Sequence, residues 1–138
     1  MTPRWNGLVG HYVLVVDDDD DTRHVLGMML EAHGAMVVTA ASVAEARRLL
    51  SERLPDVLVT DLAMPLEDGF GLLQYCRYHT DPRLQALPML ALTAYAGRQA
   101  EDEVLEAGFD AYLPKPVTPA DVGRVVRELA LKKSSSAR

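Results

Sequence analysis

The sequence predicts an α/β fold in which five parallel strands alternate with five helices that cover both faces of one sheet. Three observations point to it. Short Val/Leu-rich runs recur between turn residues, as strands do when neither face meets water. Segments with apolar residues at helical spacing fill the intervals. Four of the strands also end in a polar residue, and ligands of open α/β sheets bind beyond the carboxyl ends of the strands. A chain of 138 residues is long enough for one such domain and its core.

Residues 1–8 are expected to form an N-terminal linker, with Leu8–His11 at its edge. Tyr12–Val16 is the first strand, and it runs into the acidic series Asp17–Asp21. Asp20 or Asp21 is placed to cap the next helix, which carries Val25, Leu26, Met29 and Leu30 on one face and stops at Gly34. Met36–Ala40 is strand two. Ser42 and Glu45 form a capping box for a helix that buries Ala46, Leu49 and Leu50 and ends at Pro55.

Strand three, Val57–Thr60, stops at a single carboxylate, Asp61, with Pro65 and Gly69 close behind. The helix after it, about Phe70 to His79, has the stripe Leu72, Leu73, Cys76, so Cys76 reads as a small buried hydrophobe. A polar, proline-punctuated connector leads to strand four, Met89–Leu92, which ends at Thr93. A helix with Ala100, Val104 and Ala107 on one face runs to Gly108. Ala111–Leu113 is a short fifth strand, followed by Lys115 between two prolines. Thr118 and Pro119 suit the cap and first position of a last helix that buries Val122, Val125, Val126 and Leu129. The polar tail, residues 132–138, is expected to be disordered.

The net charge of −6 is unevenly spread. With Arg4, Lys132, Lys133 and Arg138 set aside, 10 basic residues face 20 acidic ones, a balance that repels nucleic acid. No apolar run approaches the roughly 20 residues that cross a bilayer, and the first ten residues lack a signal peptide's apolar core. A cytoplasmic location without membrane contact is the resulting expectation. The lone Cys76 offers neither an internal disulfide nor a metal-binding pair.

The chemistry gathers at the strand ends. Strand one supplies Asp17 and Asp18, strand three Asp61, strand four Thr93 and strand five Lys115. Asp61 alone could be an ordinary turn residue. Together, however, three close carboxylates repel one another unless a cation is present, and an all-oxygen set suits Mg²⁺. A threonine hydroxyl and a lysine are groups that hold phosphoryl oxygens, and a carboxylate can accept a phosphoryl group covalently.

These stretches resemble the receiver domain of two-component response regulators. The resemblance lies in V-L-V-V-D-D-D with Arg23 downstream, D-V-L-V-T-D-L-A-M-P-L-E-D-G, L-A-L-T-A and A-G-F-D-A-Y-L-P-K-P-V, in that order, over roughly Val9 to Leu131. It implies a flavodoxin-like doubly wound fold with strand order 2-1-3-4-5 and a receiver domain spanning residues 9–131. Asp61 is then the phosphoacceptor. Asp18 ligates Mg²⁺ directly, Asp17 acts through water, Asp61 shares the ion, and Ala63 ligates through its backbone carbonyl, with Mn²⁺ able to substitute. Thr93 and Lys115 contact the phosphoryl oxygens. Thr93 and Tyr112 form the switch, Lys115–Pro116 is a peptide that is often cis, and Ala63 and Tyr95 occupy the variable flanking positions. The implied donor is a phosphohistidine on a histidine kinase or histidine phosphotransfer protein. The implied role is signalling, in which the domain assists its own phosphorylation and dephosphorylation rather than acting as an enzyme. The output surface is the helix after strand four, strand five and the last helix, through which a weak dimer could also form.

Three rival readings are weaker. An EF-hand counted from Asp17 would need Gly and Glu where Thr22 and Met28 stand. An aspartate-nucleophile phosphatase of haloacid dehalogenase type matches Asp18, Asp20 and Thr22 literally, but Asp17 interrupts its strand and Arg23 stands where an apolar residue belongs. A degenerate receiver would lack one of the acid pair, acceptor, Thr or Lys, and all are here. His24, His33 and His79 show no ligand spacing, His11 precedes the first strand, and Glu101–Glu103 reads as a solvated helix face. Seven residues follow Leu131, so the chain is read as a single-domain regulator or a receiver from a larger protein, with a lean toward a hybrid histidine kinase.

Overall fold

The computed structural model describes residues 7–63, 68–94 and 97–136, with side chains described to residue 132. The elements follow in the order β1 (Tyr12–Val16), α1 (Asp20–Ala32), β2 (Met36–Ala40), α2 (Val43–Glu52), β3 (Val57–Asp61), α3 (Gly69–Arg77), α4 (Pro82–Gln85), β4 (Met89–Thr93), α5 (Arg98–Ala107), β5 (Ala111–Pro114) and α6 (Pro119–Ser136). The sheet is parallel throughout, with order β2-β1-β3-β4-β5. Every residue of β1, β3 and β4 is buried, which is why these three strands read as apolar runs up to the polar residues at their carboxyl ends.

Strand alternation divides the core into two layers. Leu14, Leu58, Met89 and Ala91 point toward α2, α3 and α5, where they meet Ala46, Leu50, Leu72, Leu73, Cys76 and Val104. Val13, Val15, Val59, Leu90 and Leu92 point the other way, onto Leu26 and Leu30 of α1 and Val122, Val126 and Leu129 of α6. Each such side chain, fully buried, contributes roughly 1.5–3 kcal/mol. The packed layers thereby fix the strand ends that carry the polar residues.

The caps show why the helices start where they do. Ser42 Oγ accepts from the Glu45 amide at 3.1 Å, and Glu45 Oε1 accepts from the Ala41 amide at 2.7 Å. Thr118 Oγ1 accepts from the Asp121 amide at 3.1 Å, with Pro119 opening α6 as expected. At α1 the cap is Asp19 rather than Asp20 or Asp21. Its Oδ2 accepts from the Thr22 amide at 2.8 Å and from the Thr22 hydroxyl at 2.6 Å, a pair of hydrogen bonds that neither later aspartate could make with Thr22.

Other expectations are corrected. There are six helices among the described residues, not five, because Asp81 caps a single turn, α4, behind Pro82. Leu8, assigned to the linker, is fully buried, and its amide donates to the His33 carbonyl at 2.9 Å. The last helix continues through residues 132–136 of the expected disordered tail, since no glycine or proline follows Gly123 to stop it and Lys132 suits its negative end. Val25 is 47% exposed, at the rim of the Leu26/Leu30 stripe. In α5 only Val104 is buried, so Ala107 lies outside the apolar face assigned to it. Among the described residues no helix is long and apolar enough to cross a membrane.

Candidate functional site

The register places the polar residues side by side. Val16 of β1 is opposite Thr60 of β3, so Asp17 and Asp61 follow at the same level. Thr93 of β4 is opposite Pro114, and the Lys115 amide donates to the Thr93 carbonyl at 2.7 Å, tying the end of β5 to the end of β4. The turn after β3 is drawn tight: the Leu62 amide donates to the Leu92 carbonyl at 3.0 Å, and the Gly69 amide to the Leu62 carbonyl at 3.1 Å. Gly69 is required there. A Cβ at this position would lie 2.7 Å from the Asp61 carbonyl oxygen and 3.1 Å from Leu62 Cα.

Asp17, Asp61 and Thr93 are buried, whereas Asp18 is exposed at the mouth. One carboxylate oxygen from each of Asp17, Asp18 and Asp61 lies within 4.8 Å of the others, a spacing that one divalent ion can bridge. Lys115 Nζ lies 3.2 Å from Asp17 Oδ2 and 3.3 Å from Asp61 Oδ1. That ammonium pairs with two of the three carboxylates, and the uncompensated negative charge suits a hard cation. The donor set therefore fits Mg²⁺.

The electrostatics agree. Burial pushes the Asp61 carboxyl above the usual aspartate range, Lys115 pulls it back, and the Asp17 charge pushes it up again. For Lys115, burial works against the charged form, but Asp17 and Asp61 outweigh it and the ammonium is held more tightly than usual. A cleft of about 890 Å³ opens beside this cluster, lined among others by Asp61, Phe70, Thr93, Gln99, Val104 and Lys115. Asp61 thus borders open space as well as the buried cluster.

The remaining expected positions fall as follows. Lys115–Pro116 is cis. Tyr112 is half-buried, stands level with Ala91 of β4, and packs on the core layer that includes Val104. Ala63 is exposed directly after the strand end, and its amide hydrogen-bonds the Asp61 carboxylate. Tyr95 and Pro65 lie outside the described residues. His33, which shows no ligand spacing in sequence, is buried with Nε2 2.8 Å from the Pro119 carbonyl.

Two supports were given no role by the sequence, although Arg23 was part of the resemblance. Asp17 Oδ1 accepts from the Asp19 amide at 2.9 Å, and Arg23 Nη1 donates to the Asp17 carbonyl at 2.9 Å. The available signal was an arginine one and a half helical turns past the acid pair. At the opposite end of the strands, ahead of β4 and β5, Arg77 spans the Gln85, Leu87 and Gly108 carbonyls and pairs with Asp110 at 2.9 Å, a set of partners that only the tertiary fold reveals.

Comparison with known proteins agrees with this geometry. The sequence pattern of the response regulator receiver domain matches residues 13–127. An uncharacterized 14.6 kDa protein from Leptolyngbya boryana is 46% identical over 119 residues, 86% of this chain and 89% of that protein. The transcriptional regulatory protein PhoP of Escherichia coli O157:H7 is 41% identical over 104 residues, 75% of this chain but only 45% of PhoP, so the chain spans about half the length of that relative. Among solved structures, the receiver domain of the Francisella response regulator 1452 superposes with a TM-score of 0.81 at 29% identity, covering 90% of this chain and 99% of that one. The fold, the strand-end acids and the matched pattern lead to one conclusion: the chain belongs to the response regulator receiver domain family of two-component signalling.

Proposed function

We propose that Asp61 takes a phosphoryl group from a phosphohistidine of a histidine kinase or histidine phosphotransfer protein. Asp17, Asp18, Asp61 and the backbone carbonyl of Ala63 would hold Mg²⁺, or Mn²⁺ in its place. The observation that carries this reading is the shared ammonium: Lys115 Nζ bridges the buried carboxylates of Asp17 and Asp61 beside an open cleft. When bound, Mg²⁺ supplies neutralising charge to the phosphoryl oxygens, which is much of what phosphoryl transfer requires.

The chain's own residues do the rest. An Asp61 carboxylate oxygen attacks phosphorus, its O–P bond forms as the imidazole N–P bond breaks, and the electron pair leaves with the imidazole. Lys115 then follows the charge from the carboxylate to the phosphoryl oxygens, while Thr93 donates its hydroxyl to one of them. Hydrolysis reverses the state: water adds to phosphorus, the O–P bond to Asp61 breaks, and inorganic phosphate departs from the restored carboxylate.

Movement of Thr93 toward the phosphoryl group vacates space behind β4, and the Tyr112 ring turns inward to fill it. The altered surface of α5, β5 and α6 contacts the output partner, or weakly a second copy of the chain. Going from mostly off to mostly on requires phosphorylation to favour the active state by about 5 kcal/mol. The domain works in the cytoplasm, either alone or as the receiver of a hybrid kinase. The test is incubation with Mg²⁺ and acetyl phosphate, followed by intact mass. The wild-type chain gains one phosphoryl mass and loses it with time, and Asp61→Ala gains none. Labelling of Asp61→Ala to the wild-type level would refute the assignment.

A further inference from the structure

We infer that Arg23 is a positioning residue for the cation site: its guanidinium sets the turn that carries Asp17 and Asp18. The inference rests on the reading above that Asp17 and Asp18 hold Mg²⁺. It assigns to Arg23 a task at that site without contact with ion or phosphate.

The geometry is a fork closed on one turn. Arg23 Nη1 donates to the Asp17 backbone carbonyl at 2.9 Å, and Nη2 donates to Asp20 Oδ1 at 2.5 Å. The arginine side chain is only 19% exposed, although Asp20 itself is 84% exposed. Asp17 is fully buried, so its carbonyl, already past the last β1–β3 ladder pair, cannot turn to water for a donor. The guanidinium supplies that donor in a fixed plane.

Three further bonds set the side chains on the same turn. The Asp19 amide holds Asp17 Oδ1, Lys115 holds Asp17 Oδ2, and Asp19 in turn caps α1 through Thr22. Arg23 sits on the first turns of that same helix, where its own amide donates to the Asp19 carbonyl at 2.9 Å. The peptide plane between Asp17 and Asp18 is thus gripped at its carbonyl by a rigid cation. The direction in which Asp18 leaves the strand follows from that plane.

Charge and position make opposite predictions for this residue, which makes the inference decidable. Arg23 is a cation beside a site that binds a cation, so its charge alone disfavours Mg²⁺. If charge is what matters, neutralising Arg23 tightens Mg²⁺ binding, and Arg23→Lys changes nothing. If position is what matters, both Arg23→Gln and Arg23→Lys weaken binding, because neither side chain carries the two coplanar donor nitrogens that reach the Asp17 carbonyl and Asp20 together. Groups that orient metal ligands typically change metal affinity by about 10–100-fold, and about tenfold is expected here.

The experiment is a Mg²⁺ titration of the folded, full-length chain, followed by amide chemical shifts, for wild type, Arg23→Gln and Arg23→Lys. Phosphorylation rates with acetyl phosphate are then measured at low and saturating Mg²⁺. Weaker binding in both variants, with rates that recover at saturating Mg²⁺, supports the inference; a residue that merely supported the fold would lower the urea midpoint and leave Mg²⁺ affinity unchanged. If Arg23→Gln does not fold, Arg23→Lys decides alone. Unchanged or tighter binding in the folded variants overturns it. A wild-type chain that fails to bind Mg²⁺ at all would overturn the reading of the site instead, so the two failures are distinct.

Discussion

In the absence of divalent ions, Asp61→Asn should make the domain more stable, although it removes the residue on which the proposed function depends. The Lys115 ammonium at 3.3 Å attracts the Asp61 charge by about 5 kcal/mol at an effective dielectric constant near 20. Asp17, within 4.8 Å, repels it by about 3.5 kcal/mol on the same scale. Asp18 is exposed, so its repulsion is screened to about 1 kcal/mol. These terms nearly cancel. What remains is the cost of desolvating a carboxylate whose side chain is 9% exposed, which amounts to several kcal/mol per buried ion.

Less that small residual attraction and the roughly 1–3 kcal/mol that burying the Asn amide costs, a net gain of about 2 kcal/mol on neutralisation is expected, with the same sign as the upward push on the Asp61 carboxyl. In a chain of this size that raises Tm by roughly 5–8 °C. The pH dependence has a definite sign too. Because the folded-state carboxyl titrates above its usual value, its stabilising contribution is complete at acid pH and is lost as the pH rises through the folded-state value. The metal-free wild type should therefore lose stability over that interval while Asp61→Asn does not. Urea and thermal denaturation in EDTA, from mildly acid to neutral pH, measure both effects. Adding Mg²⁺ to about 100 times its Kd stabilises the wild type by about 2.7 kcal/mol and closes the gap. An Asp61→Asn protein as stable as the wild type in EDTA, or less so, would refute the electrostatic reasoning.

Two further outcomes follow from packing. Gly69→Ala gains up to about 1 kcal/mol of helix propensity. The clash with the Asp61 carbonyl and Leu62 Cα outweighs this, because both are backbone atoms; a net loss of about 2 kcal/mol by urea denaturation is expected, with weaker Mg²⁺ binding alongside. The Cys76 thiol, pushed up to about 11 by burial, stays protonated across neutral pH. It should resist a thiol reagent in the native protein and react fully in urea; rapid stoichiometric labelling of the native chain would contradict its place in the core.

Much of the site was legible because it lies where regular elements stop. The β1, β3 and β4 runs are fully buried and apolar but for Thr60, so Asp17, Asp61 and Thr93 stand out at their ends. Lys115 was legible for a different reason, its place between two prolines after a short strand. What could not be read depends on which of several equivalent groups wins a contact. Asp19, Asp20 and Asp21 all suit a cap, and only the reach of Thr22 selects Asp19. Leu8 had no periodic neighbours to mark it, yet the carbonyl of His33 and the α1–α6 core draw it in. The one-turn α4 did carry a signal, Asp81 before Pro82, of the same kind as Thr118 before Pro119. A single turn leaves no periodicity to support it. The partners of Arg77 are separated from it by up to 33 residues and could come only from the fold.

The central claim is that Asp61 itself carries the phosphoryl group, and borohydride trapping tests it most directly. The chain is phosphorylated with acetyl phosphate and Mg²⁺, reduced, digested and sequenced by mass spectrometry. An aspartyl phosphate is converted to homoserine by this treatment, whereas a free carboxylate is not. The account predicts homoserine at position 61 and at no other aspartate, with none formed when EDTA replaces Mg²⁺. Homoserine at position 17 or 18 with aspartate intact at 61 would contradict it.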